Sequence, residues 1–167
     1  MLKEIETRQS IRKYKDVPVS EDQLDAVLRA AMNAPSARNE QCWRFMIVQN
    51  RKVLDDIASL SSYMKMMESA PCCILVLADK TIVPYPEYMY YDCSAAIENI
   101  LIEANHQGLG TCWCAIAPNE DRIATFCDYF ELPEDLVPIS AVALGVSDEE
   151  KSQIDRYDPD KILKTIK

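Results

Sequence analysis

Two short stretches concentrate the residues able to hold and orient a small molecule. The first runs Glu6-Thr-Arg8-Gln9-Ser10-Ile11-Arg12-Lys13-Tyr14 and sets two guanidinium groups around a hydroxyl and an amide. The planar fork of arginine suits phosphate and carboxylate oxygens, each charge-assisted bond contributing roughly 1.5–3 kcal/mol. The second, residues 34–45, reads Ala-Pro-Ser-Ala-Arg-Asn-Glu-Gln-Cys-Trp-Arg-Phe. It supplies a fixed turn, a hydroxyl, two amides and a large aromatic face, groups that can hold the polar edge and flat face of a ring. The same residues also serve as ordinary turn chemistry after a helix.

Other reactive side chains offer less. Cysteines 42, 72, 73, 93, 112, 114 and 127 form an odd set of seven with no sign of a disulfide framework. Cys72 and Cys73 lie in an apolar run and read as small core hydrophobes. Cys112-Trp-Cys114 alternates along an expected strand, so both sulfurs share one face. With His106 six residues earlier a zinc site can be drawn. There is no Cys-x-x-Cys pair, however, and a tetrahedral site needs more ligands, so no metal is expected. The single histidine reads as structural, and no nucleophile–base pair suggests itself, so no catalytic side chain is assigned. Only Gly108, Gly110 and Gly145 occur, in no Gly-x-Gly-x-x-Gly or P-loop pattern, which excludes a glycine-cradled phosphate. Any phosphate must be held by side chains.

The net charge of −9 argues against nucleic-acid or acidic-membrane binding. Against that background residues 1–15 are locally basic: Lys3, Arg8, Arg12, Lys13 and Lys15 face only Glu4 and Glu6. Such a reversal of sign fits a small anion site, and equally a solvated charge run. A length of 167 residues predicts one domain, residues 1–167. The longest apolar run, 70–78, falls well short of the roughly 20 residues that span a bilayer. The first residues carry no apolar core like a signal peptide's, and the chain reads as cytoplasmic.

The elements that must position these groups follow from periodicity. Ser20 and Gln23 form a capping box, and Leu24, Val27, Leu28, Ala31 and Met32 predict a helix with one buried stripe, ending near Asn33 before Pro35. A strand is expected at 45–49, then a helix capped by Asn50 that buries Val53, Leu54, Ile57 and Leu60. The Met-rich stretch 61–69 has no clear period. A buried strand follows at 72–78 and a proline-containing loop at 81–87. Residues 88–107 predict the longest helix, apolar nearly all round and therefore central; Gly108 stops it. Strands at 111–116 and 137–146 flank a helix capped by Asn119 and carrying Ile123, Phe126, Cys127 and Phe130. The tail, 147–167, is charged with a late apolar set at Ile162, Leu163 and Ile166, the pattern of an arm laid across a partner, although fraying is the default for a terminus. Strands separated by helices imply α/β or α+β layers.

Taken together, the two polar stretches resemble the nitroreductase family of FMN-dependent oxidoreductases. Its members open with an Arg-x-Ser-x-Arg-type segment and continue, some two dozen residues later, with Ala-Pro-Ser-x-x-Asn-x-Gln-Pro-Trp. Both stand here in order and the resemblance covers essentially the whole chain. It implies an α+β fold in three α/β/α layers, with a mostly antiparallel central sheet and an intertwined homodimer that residues 148–167 help to bind. It implies FMN held through its phosphate by Arg8, Ser10, Arg12 and Arg156, with Gln9 against the cofactor. Backbone amides of Ala115 and Ile116 would face the ring, and Pro35, Ser36, Ala37 and Asn39 would wrap it from the other protomer. The implied activity takes hydride from NADH or NADPH onto the flavin and passes it to a nitroaromatic, quinone or similar acceptor by a ping-pong route. A flavin-binding protein without turnover is the alternative. Three departures stand out: Cys42 replaces the usual proline before Trp43, Ile154 stands near a usual basic position, and the segment 114–118 lacks a usual glycine.

Overall fold

A computed structural model describes every residue except Pro84, which belongs to the expected 81–87 loop and lies outside the described residues. In chain order the elements are α1 (Lys3–Thr7), α2 (Glu21–Met32), β1 (Trp43–Val48), α3 (Arg51–Leu60), β2 (Cys72–Asp79), α4 (Tyr88–His106), β3 (Gly110–Ala115), α5 (Glu120–Phe130) and β4 (Leu136–Gly145). Short 3₁₀ turns cover Ala37–Asn39, Ser62–Glu68 and Pro159–Lys161.

The strands form one antiparallel sheet in the order β1-β2-β4-β3. The two inner strands are apolar almost throughout because helices cover both faces. Alternation sends Cys72, Ile74, Val76 and Ala78 of β2 into a cluster with α2 and α4. Cys73, Leu75 and Leu77 enter a second cluster with α3, α5 and the Ser62–Glu68 turn. The register of β2 with β4 slips between Val76 and Leu77, leaving Ile139 as the extra residue between Pro138 and Ser140. A bulge reverses the alternation, so Val137 and Ile139 share the α4 face with Val142 and Leu144. It also accommodates Pro138, which cannot donate to the ladder.

The expected helices and strands are present, with strand ends displaced by one or two residues. The α2 stripe is narrower than expected: Val27 and Ala31 are buried, but Met32 is 52% exposed. The Met-rich stretch packs by side-chain shape rather than helical period, burying Met64, Met66 and Met67 in the second cluster. Arg51 donates to the Met67 and Ala70 carbonyls and holds that turn on α3. The helix α4 is central, and Gly108 adopts φ +75° at its end, where Leu109 N–H donates to Ala104 O at 2.8 Å. Residues 148–167 carry exposed Ile162, Leu163 and Ile166.

The opening segment is tied to the sheet. Ser10 bridges Thr111 in parallel and Tyr14 bridges Ser147 antiparallel. Buried Tyr14 donates its hydroxyl to Ile11 O at 2.6 Å. Two glycines leave room for this strap. A Cβ at Gly110 would stand 2.7 Å from Ile11 Cγ1, and one at Gly145 would stand 2.5 Å from Pro71 Cδ and 3.1 Å from Tyr14 Cδ1. Farther back, Asn105 Nδ2 donates to Glu4 O at 2.9 Å and Thr7 Oγ1 at 2.8 Å, and His106 Nδ1 meets Glu4 Oε1 at 3.1 Å. These contacts dock α1 on the C-terminal end of α4.

Two outcomes follow from this strapping. Gly145→Ala forces a methyl against the rigid Pro71 ring and should destabilise the fold by about 1–3 kcal/mol, read from urea unfolding. The α1 latch should depend on pH. The hydrogen bond with Glu4, then the nearby Glu103 carboxylate, raises His106 above its ordinary 6.5. The hydrogen bond with His106 lowers Glu4 below its ordinary 4.5. The histidine contribution is complete below 6.5 and is lost as pH rises through the raised value; the glutamate contribution is complete above 4.5 and is lost as pH falls through the lowered one. The melting-temperature difference between wild type and His106→Ala should therefore peak between pH 4.5 and 6.5 and shrink on either side.

Candidate functional site

The outer edge of β3 faces a cleft of about 660 Å³. Its walls carry three cations: Arg12 from the opening segment, Lys65 from the Met-rich turn, and Arg122 from α5. No carboxylate lines it among the described residues. Tyr63 and Trp113 add exposed aromatic faces, and Ser62 a hydroxyl. Arg122 is fixed by donating to Ala115 O at 3.0 Å, with its guanidinium 6.0 Å from the Tyr63 ring centre. In a chain of net charge −9, the chemistry of such a cleft is complementary to an anion with a flat, partly apolar body.

The residues expected at an anion site gather around this edge but do not all enter one cavity. Arg12 lines the cleft. Arg8 places Nε 3.9 Å from Glu98 of α4 and lines a pocket of about 220 Å³ with Gln9, Thr111 and Lys151. It also lines a groove of about 770 Å³ with Arg156 and Tyr157 of the tail. Gln9 Nε2 donates to Ser152 O at 3.0 Å, and the Arg12 amide donates to Glu149 Oε1 at 2.5 Å. That backbone bond, with Lys151 nearby, holds Glu149 below the usual carboxylate range.

Five residues around this edge escaped the sequence reading: Tyr63, Lys65, Trp113, Arg122 and Lys151. Lys65 and Tyr63 lie in the stretch without a period, and Arg122 sits on a helix whose apolar face was the only feature read. Lys151 is the most instructive. Its ammonium rests on the Ser10 carbonyl and 3.2 Å from Glu149 Oε1. A cation thus stands three residues before Ile154, beside the same opening segment. A basic residue within one turn of Ile154 was the available signal.

Of the two expected amides, Ile116 N–H already donates to Ile139 O at 3.0 Å and is not free for a ligand. This corrects the expectation for Ile116, which lies just past the end of β3 and spends its amide on the bulged residue of β4. The alternation of an antiparallel ladder turns the Ala115 peptide groups the other way, toward the open edge. The bond from Arg122 to Ala115 O has that direction.

Pro35, Ser36, Ala37 and Asn39 lie elsewhere. They precede β1, the opposite edge strand, three strand spacings or roughly 14 Å from β3. Their turn is strained, with Arg38, Asn39 and Gln41 at φ 54°, 59° and 52°. Only asparagine adopts this region readily. Ser36 Oγ accepts Gln41 N–H at 3.0 Å, and Ala37 N–H donates to Asp92 Oδ1 of α4 at 2.9 Å.

All seven cysteines are free, and six are buried. Cys112 and Cys114 share one face, with Cys114 Sγ 3.6 Å from Met66 Sδ. The Cys114 thiol and the Arg12 and Lys151 charges lower Cys112 to about 7 despite its burial. No group of three His, Cys, Asp or Glu among the described residues converges to hold a metal, and none of their helices is long and apolar enough to cross a membrane.

Comparison with known proteins places these features in context. The model of the nitroreductase family matches residues 5–63 and 58–146. A protein of Methanothermobacter thermautotrophicus, provisionally named NADH dehydrogenase/NAD(P)H nitroreductase, is 40% identical over 97% of this chain and 85% of its own. The solved structure of an FMN-dependent nitroreductase from Clostridium difficile R20291 superimposes with a TM-score of 0.89 at 28% identity, covering 96% of both chains. A provisionally named nitroreductase from Desulfovibrio desulfuricans, solved in complex with FMN, gives 0.87 at 28% identity over 98% of this chain and 95% of the other.

Proposed function

The chain belongs to the nitroreductase family, and on that premise we propose that it is an FMN-dependent oxidoreductase that draws on NAD(P)H and reduces a nitroaromatic, quinone or similar small acceptor. The observation that carries this reading is the cleft on β3: three cations, two aromatic faces and no carboxylate among the described lining residues. That donor set fits a phosphorylated ligand with a planar ring. The Desulfovibrio relative, solved with FMN, supports the same ligand.

In this reading Arg8, Ser10, Arg12 and Arg156 hold the phosphate, with Gln9 alongside and Lys151 supplying the charge that Ile154 lacks. The Ala115 amide, Lys65 and the Trp113 face serve the ring. FMN, when bound, supplies the two-electron chemistry, taking hydride from NAD(P)H and giving it to the acceptor in two separate half-reactions. The chain's residues bind, orient and stabilise charge; none is required to transfer a proton. Amide and cationic donors fixed beforehand at the ring edge favour the negative charge that reduction brings.

Assembly follows from the sheet order. The cationic edge and the Pro35–Asn39 turn lie on opposite sides of one protomer, so a second copy is needed to bring them to one ligand. A two-fold dimer does this twice, giving two equivalent sites. The exposed apolar residues of 148–167 are the natural covering for the partner.

Three experiments test this. The purified yellow protein should bleach with NADH or NADPH under anaerobic conditions and recover colour when an acceptor is added; binding without bleaching would make it a flavin carrier or store. Arg12→Ala should weaken FMN by at least about tenfold, the equivalent of 1.4 kcal/mol, with Arg12→Lys recovering only part. Light scattering on the flavin-loaded protein should give a dimer, and removal of residues 148–167 should cost both dimer and flavin. A flavin-loaded monomer at micromolar concentration would end the shared-site reading.

A further inference from the structure

Asp92 is the one acidic side chain that α4 buries, at 5% exposure. One oxygen, Oδ1, accepts the Ala37 amide at 2.9 Å. The other, Oδ2, is buried without a hydrogen-bond partner among the described residues. No ion pair among those residues includes Asp92, and the neighbouring groups are the thiols of Cys42 and Cys93. A buried carboxylate without a cation is costly, so its retention at this position calls for a compensating role.

The segment it touches supplies one. Three residues between Arg38 and Gln41 occupy the left-handed region, and neither arginine nor glutamine prefers it. The bonds inside the segment are local: Gln41 N–H to Ser36 Oγ at 3.0 Å, Gln41 Nε2 to Asn39 Oδ1 at 3.3 Å, and Arg38 Nε to Glu40 Oε1 at 3.6 Å. Strained backbone persists only where its surroundings over-determine it. The bond from Ala37 to Asp92 spans 55 residues and ties the segment to the central helix. Six residues further along α4, Glu98 meets Arg8 of the cationic half-site. At 1.5 Å per residue the two anchor points are about 9 Å apart on one rigid rod.

We infer that Asp92 is the positioning residue of the Pro35–Asn39 half-site, holding the Ala37 amide on α4 so that the turn keeps the shape that contacts flavin. The inference rests on the flavin reading above. It is the acceptor oxygen of Asp92 that does this, so asparagine at the same position keeps the anchor and alanine removes it.

Hydrogen exchange of the peptide covering residues 34–43 in the intact protein, combined with FMN titration, tests the assignment. Asp92→Ala should speed exchange at Ala37 and weaken FMN by about tenfold or more, while Asp92→Asn stays within about threefold of wild type in both. Wild-type exchange and affinity in Asp92→Ala, or an Asp92→Asn as impaired as the alanine variant, overturns the inference. Faster exchange with unchanged FMN affinity overturns its functional half. In that case Arg12→Ala separates the causes: weakened FMN in Arg12→Ala leaves the flavin reading standing, and unchanged FMN removes it as well. Should Asp92→Ala not fold, Asp92→Asn decides alone, since exchange or FMN affinity altered beyond threefold would contradict the acceptor role.

Discussion

The inner strands β2 and β4 are covered on both faces, and their backbone groups are paired on both sides. No water reaches that region, so any polar side chain there would have to be fully satisfied inside the protein. Ser140 is the buried polar residue of the inner pair, Asp79 lying half-buried at the end of β2, and the Ser140 hydroxyl donates to Cys114 O at 2.8 Å. Ligand-binding groups are therefore pushed outward. The cationic set lies along β3 and the strained turn enters β1, at the two edges where backbone groups remain available.

A sheet edge is a liability unless something occupies it. The opening segment covers part of β3 through its bridge at Ser10, and the two small residues Gly110 and Gly145 let it approach closely. What stays open beyond Thr111 is the stretch facing the cleft, Trp113 to Ala115. The strap and the site thus share one origin. The chain that protects the edge also carries Arg8, Ser10 and Arg12 to it. Helix α4 performs the matching task between the edges, touching Arg8 through Glu98 and Ala37 through Asp92.

The candidate site was partly legible beforehand because the residues proposed for it are clustered in sequence. Arg8 to Arg12 and Pro35 to Asn39 are each a few residues long, and the chemistry of each can be read without knowing where the other lies. Ile116 shows the limit of such reading. Whether a strand amide is free depends on which neighbour pairs with it, and β4 takes that amide through Ile139. Lys65 shows a second limit. The Met-rich turn follows the shape of its cavity, leaving no periodic signal to say which of its side chains turns outward.

Hydrophobic period and capping residues were sufficient, from the sequence by itself, for layers of the α/β or α+β kind, the central position of α4 and the boundaries of α2 near Ser20 and Asn33; the choice of α+β came from the resemblance of the two polar stretches. These are local properties, set by side-chain spacing and backbone preference over ten to twenty residues. The tertiary structure alone decided the strand order, and with it the separation of the two polar stretches to opposite edges. It also decided that Lys151 lies against the Ser10 carbonyl, and that a carboxylate on α4 anchors the Ala37 turn. Each of these depends on contacts between residues 25 to 141 positions apart, and no periodicity within a segment records which distant segment will lie beside it.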